Sequence, residues 1–255
     1  MRKVLSTAAA LMAVAIGSPA AASEILWLDS DHTAYSGEYS TGTSLLFSGG
    51  GVNVRASAWS IHDDGDIYKA KLGVWAGGLG VTNGRSDNSH TIDNSGFQDF
   101  VLLQFDQVVE LESARFLTGW HGMYDTDATI GYSVTNLPFG TPPALNGLPQ
   151  SSLAGLNLYS SGNWGYSGDS YRNVNYSDKA GNLWLIGASF SNPEGNWKLD
   201  GFKLEKLRFT VPPPAVPEPS TWAMLLLGFF GLGGVLRKSK RGRELFNGQP
   251  AAGTA

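Results

Sequence analysis

The chain has no cysteine among its 255 residues. That excludes a disulfide scaffold, a zinc–thiolate or iron–sulfur site, and a cysteine nucleophile. Charge is scarce as well. Asp, Glu, Lys and Arg together make up 16%, low for a soluble protein. Histidine is limited to His32, His62, His90 and His121, far apart in sequence. A catalytic triad or a zinc site would need the fold to gather them. The middle of the chain has no basic patch. Between Ser23 and Pro219, 11 Lys and Arg stand against 21 Asp and Glu, a balance of −10. Such a region is a poor nucleic-acid binder. From Ser23 to Thr210 the sequence shows neither a fixed-period repeat nor a convincing amphipathic helix. Glycine is abundant instead, at 33 residues, and aromatics reach 11%, with 8 Trp.

Both ends read as addresses. Met1-Arg2-Lys3 is followed by an apolar run from Val4 to Ile16, then by Ser18-Pro19-Ala20-Ala21-Ala22. A basic start, a short apolar core and an Ala-x-Ala site predict a signal peptide over residues 1–22, cut after Ala22 by signal peptidase. The alternative is an uncleaved anchor. At the other end, residues 211–221 form a proline-rich linker containing Pro217-Glu218-Pro219, expected to be stiff and extended. An apolar run, residues 222–236, comes next, followed by Arg237, Lys238, Lys240, Arg241 and Arg243. Apolar helix then cations predicts a single transmembrane helix with residues 237–255 as a basic cytoplasmic tail. At 15 residues the run falls short of the roughly 20 that span a bilayer. It would span by thinning the membrane or recruiting Thr221, as a transient inner-membrane anchor.

Pro217-Glu218-Pro219-Ser220-Thr221-Trp222-Ala223-Met224, with the apolar run and the basic cluster, resembles the PEP-CTERM sorting signal. The resemblance implies an exosortase as processing partner and removal of the tail at or near the Pro-Glu-Pro motif. It also implies delivery to the surface or matrix of a polysaccharide-producing Gram-negative bacterium. Pro217, Glu218 and Pro219 are then a site acted on by another enzyme. The chain continues from Glu244 to Ala255, longer than such tails usually run. The other reading is a plain C-terminal membrane anchor.

Between these ends, alternation of period two dominates. Candidate strands are 52–59, 100–105, 114–120, 129–134, 183–190 and 202–210. Short strands separated by Gly, Asn, Asp and Ser predict an all-β fold. We expect one jelly-roll-like β-sandwich over residues 23–210. Four prolines between Asn136 and Ser152 mark a long loop within it. The run Gly73-Val74-Trp75-Ala76-Gly77-Gly78-Leu79-Gly80-Val81, ahead of His90-Thr91-Ile92-Asp93-Asn94 and Asp99-Phe100-Val101, resembles a group of exosortase-dependent surface proteins. These carry Gly-Leu-Gly-Val before a His-x-x-Asp-Asn motif, and no enzymatic activity comes with the resemblance. The spacing is also similar to galactose-binding-type jelly rolls, which transfers no ligand.

Four chemistries are weighed for this domain. Calcium needs several hard oxygen ligands. Asp87, Asp93, Asn94 and Asp99 surround a turn at Gly96, and Asp125 and Asp127 lie between two later strands. The two sets could converge at one end of the domain and hold the ion. Asp29 with Asp31, and Asp63, Asp64 and Asp66, are further acidic clusters. The plainer reading is Asx-turns and a solvated surface. A glycosidase needs two carboxyl groups roughly 5–10 Å apart, and sequence nominates no pair. A serine hydrolase has little support. Gly168-Asp169-Ser170 is followed by Tyr171, not glycine, and no Gly-x-Ser-x-Gly elbow is present. Sugar stacking has candidates in Trp164, Tyr166 and Tyr171, within a Gly/Ser/Asn/Asp-rich stretch that also holds Tyr159 and Tyr176. Those aromatics could equally fold onto the domain's end. The resulting expectation is a non-enzymatic, structural surface or matrix protein. The alternatives are a calcium-dependent module that binds exopolysaccharide and a matrix polysaccharide hydrolase.

Overall fold

The computed structural model describes residues 22–30, 43–84, 90–118, 125–162, 171–191, 199–213, 222–233 and 237. The signal-peptide run through residue 21, Asp31, Asp87, Trp164, Tyr166, Pro217, Glu218 and Pro219 lie outside the described residues. Residues 20–212 form one compact unit. Its described strands are β1 (Ser23–Trp27), β2 (Ser44–Gly49), β3 (Val52–Ile61), β4 (Asp66–Lys69), β5 (Lys71–Trp75), β6 (Gly78–Thr82) and β7 (Ile92–Asp93). They continue with β8 (Gln98–Leu117), β9 (Ala128–Ser133), β10 (Leu148–Pro149), β11 (Tyr159–Ser161), β12 (Tyr171–Asn173), β13 (Ala180–Ala188) and β14 (Gly201–Thr210). A 3-10 helix, Gln150–Leu156, follows β10.

The organiser is β8, twenty residues long. Its first half lies between β3 and β13, with Val54 opposite Phe105 and Gly187 opposite Phe100. Its second half lies between β14 and β12, with Phe116 opposite Leu204 and Arg115 opposite Tyr171. The sequence encodes this split. Residues 99–105 are buried continuously, as in a strand covered on both faces. Asp106, Gln107 and Val108 are exposed, and burial then alternates through Val109, Leu111, Ala114 and Phe116. A single strand thus joins both halves into one fourteen-stranded network. The all-β expectation holds.

Two cores result. The larger collects Val52, Val54, Ala56 and Ala58 of β3, Val101 to Phe116 on alternating positions of β8, and Phe202, Leu204, Leu207 and Phe209 of β14. The smaller uses the opposite face of β3, Trp59 and Ile61, with Phe100, Leu102, Leu183 and Leu185. Leu145, Leu153 and Leu156 cover it from the proline-rich stretch and the 3-10 helix. That stretch is therefore a lid on the second core.

The β5–β6 hairpin explains the glycine-rich run. The Trp75 indole stacks on His90 at 5.2 Å between centroids, 11° from parallel. A side chain at Gly80 would place its Cβ 1.8 Å from the His90 carbonyl oxygen, and Gly78 sits at φ +110 against the Leu204 carbonyl. Both contacts involve backbone, which cannot swing away. Gly80→Ala is expected to lower stability by about 2–3 kcal/mol through overpacking. A lower urea midpoint with unchanged slope is the signature; an unchanged midpoint would refute the contact.

Residues 213–255 fall outside that unit. Residues 222–233 are helical, and Trp222, Met224, Leu225, Leu226, Leu227, Phe229, Phe230 and Leu232 are all exposed. Among the described residues no helix is long and apolar enough to cross a membrane. Of the expected transmembrane helix over 222–236, residues 222–233 are described and helical, as is residue 237, and they do not make a candidate span.

Candidate metal centre

Asp125, Asp127 and Asp200 converge at one end of the domain, each only 1% exposed. Their nearest carboxylate oxygens all lie within 4.8 Å of one another. Backbone pairing brings them together. Asp125 and Asp200 form a parallel bridge, and the Gly201 N–H donates to the Asp125 carbonyl at 2.9 Å. The Ser189 N–H donates to the Asp127 carbonyl at 3.0 Å, tying the segment before β9 to the end of β13.

Asn94, one residue beyond β7, ties the third side. Its backbone N–H donates to the Asp200 carbonyl at 3.1 Å, and its Oδ1 accepts from the Asp200 N–H at 2.9 Å. Its Nδ2 donates to Asp200 Oδ2 at 2.6 Å and to the Ser189 carbonyl at 3.3 Å. The Asn94 side chain thus acts as a brace between β14 and β13.

Three carboxylates this close cannot all ionise cheaply. Burial, then the charges of Asp127 and Asp125, push the Asp200 carboxyl up to about 7; the Asn94 hydrogen bond opposes this. Arg172 of β12 supplies nearby positive charge. Burial lowers its guanidinium to about 10, while Asp127, Asp125 and Asp200 are among the charges pulling it back up. It donates to Thr126 Oγ1 at 3.0 Å and to the Ser161 carbonyl at 2.8 Å, and lies 4.6 Å over the Phe116 ring.

Of the expected calcium ligands, Asn94, Asp125 and Asp127 therefore meet. Asp93 and Asp99 are placed differently. Asp93 Oδ2 accepts from Thr91 Oγ1 at 2.6 Å and its Oδ1 from the Ser95 N–H at 3.0 Å, an Asx-turn. Asp99 accepts from Ser60 Oγ, and from Asn83 Nδ2 at 3.0 and 3.2 Å. Asp64 closes the turn before β4, accepting from the Asp66 N–H and the Tyr68 hydroxyl, and these bonds lower its carboxyl below the usual range. Tyr171, expected to stack on sugar, has its ring engaged by Arg208 at 4.5 Å and Lys206 at 5.2 Å.

Sequence reasoning missed Asp200 and Arg172. Asp200 is a lone acid before Gly201 and the last strand, with no local cluster to mark it. Arg172 sits beside the aromatic loop residues, and only its register against Ala114 brings it to the carboxylates.

The class defined is an all-β domain followed by a separate apolar-helix tail. The tail is then specified by comparison: residues 215–240 match the family model of the PEP-CTERM protein-sorting motif. The chain thus carries a PEP-CTERM sorting motif over residues 215–240, and the motif implies export and exosortase processing toward the cell surface. No curated protein and no solved structure matches the chain.

Proposed function

We propose that this chain is a non-enzymatic, structural protein of the bacterial surface or extracellular matrix, with calcium clamping its β domain at Asp125, Asp127 and Asp200. The convergence of three buried carboxylates carries the reading. The donor set is hard oxygen, which suits calcium. The described histidines are engaged elsewhere: His62 stacks on Phe97 and His90 on Trp75. Burial favours a structural role over a hydrolytic one. A catalytic pair must reach substrate across an open cleft, and these carboxylates are 1% exposed. An ion there would link the segment before β9 with the start of β14, which Asn94 already braces to β7. It would replace mutual repulsion by shared attraction.

Thermal melting with and without calcium tests this. At a calcium concentration about 100-fold above Kd the native state gains about 2.7 kcal/mol. For a domain of this size that is a rise in Tm of about 5–10 °C. Chelator should reverse it, and magnesium, which demands stricter geometry and dehydrates reluctantly, should give less. A Tm that ignores calcium would remove the metal from the proposal.

A further inference from the structure

A cavity is built from residues outside the acidic cluster. A cleft of about 430 Å³ opens beside the end of β9, β11 and the turn after β12, lined by Tyr132, Tyr159, Tyr176, Asn157, Ser177 and Lys179 among others. Its volume falls in the range of small-molecule sites. Its floor is rigid. The Tyr132 ring packs 5.6 Å from the fully buried Trp184 and meets Tyr159 edge-on at 6.5 Å. The Tyr159 hydroxyl donates to the Val174 carbonyl, and Asn157 Nδ2 donates to the Tyr132 carbonyl at 3.1 Å.

The far wall is preformed too. Asn175 clamps the turn at both ends of its amide: Oδ1 accepts from the Lys179 N–H at 3.0 Å, and Nδ2 donates to the Lys179 carbonyl at 2.8 Å. Tyr176 rides on this clamped turn at 65% exposure. A large aromatic held out on a fixed turn contributes little to the core. It offers a flat apolar face with a polar tip, and Asn157, Ser177 and Lys179 surround it with hydrogen-bonding groups.

From this geometry we infer that the Tyr132–Tyr159–Tyr176 cleft binds a pyranose ring of a polysaccharide. Such a ring has apolar C–H faces for Tyr176 and a rim of hydroxyls for the amides, the serine and the lysine. A purely apolar ligand would waste those polar walls. A nucleic acid would meet one lysine beside Asp178 and Glu110, whose carboxyl is raised by burial and by the Asp178 charge, within a region of net negative charge. The cleft shares no residue with the acidic triad, so it goes beyond the calcium reading.

The test titrates the full chain, in mild detergent, with cellohexaose and with a mannuronate hexamer by calorimetry. Saturable binding to at least one is expected. Tyr176→Ala should weaken it tenfold or more without changing the melting curve, since the side chain is exposed. Lys179→Ala should weaken the acidic oligomer more than the neutral one. Binding should persist in chelator, which separates this cleft from the metal centre. Binding of neither oligomer, undiminished binding by Tyr176→Ala, or loss of binding on chelation would overturn the inference.

Discussion

Replacing Pro217, Glu218 and Pro219 together by alanine is expected to leave the C-terminal tail on the exported protein. The match to the sorting motif begins at residue 215 and ends at 240, so the tripeptide and the apolar helix fall within one recognised unit. In sequence, two prolines flank a single acid, and the ring constraint on φ is one that alanine does not reproduce. The helix at 222–233 has no polar stripe. A helix apolar on all sides seeks either a protein core or a membrane, and this one shows its large side chains exposed. Membrane association with recognition just outside the bilayer accounts for both. The readout is intact mass from the native host. Wild type should end near residues 217–219 where exosortase is present. The triple variant, and wild type in a strain lacking the protease, should both run to Ala255. A variant trimmed like wild type would place the recognition elsewhere.

How far the residues alone disclose the fold depends on whether the signal is local. β3, β9, β13 and β14 stand out because their alternation or apolar runs are uninterrupted. β8 reads as two strands, 100–105 and 114–120, because Asp106-Gln107 and Glu110 to Ser113 look like a turn. In the fold, Asp106 accepts from the Asn53 backbone N–H and side-chain amide, at 3.1 and 2.7 Å, and the ladder runs on. Short edge elements such as β7 and β10, two residues each, carry no periodicity at all. They exist because a neighbour offers backbone partners.

The acidic site divides in the same way. Asn94, Asp125 and Asp127 lie beside recognisable turns, so their convergence can be anticipated. Asp200 enters through a bridge across 75 residues to Asp125, a pairing that no local pattern records. The His-Thr-Ile-Asp-Asn run also changes meaning. His90 presses on Gly80 and Trp75, Asp93 closes its own turn, and Asn94 braces Asp200. Its residue types serve architecture at one end and the acidic cluster at the other.

Asp200→Asn is expected to invert its stability ranking against wild type according to calcium. The folded-state carboxyl of Asp200 is raised to about 7 from an ordinary 3.8. Between those values the native protein holds a proton that the unfolded chain has released. Stability without calcium should therefore fall as pH rises from about 4 to 7, and level off above that. Asparagine cannot ionise, and its carbonyl can still accept from Asn94, so the variant should lack this slope. In calcium-free buffer at pH 7.5 it should be the more stable protein, because one buried negative charge is gone. Calcium should reverse the order. A bound ion requires deprotonated carboxylates and would expel the Asp200 proton, so wild type should gain the full linkage stabilisation while the variant lacks a charged ligand. Urea midpoints at pH 4.5 and 7.5, with and without calcium, give the four values needed for each protein. Parallel pH dependence in the two proteins without calcium would show that Asp200 titrates as an ordinary aspartate, and the electrostatic coupling of the three carboxylates would then be wrong.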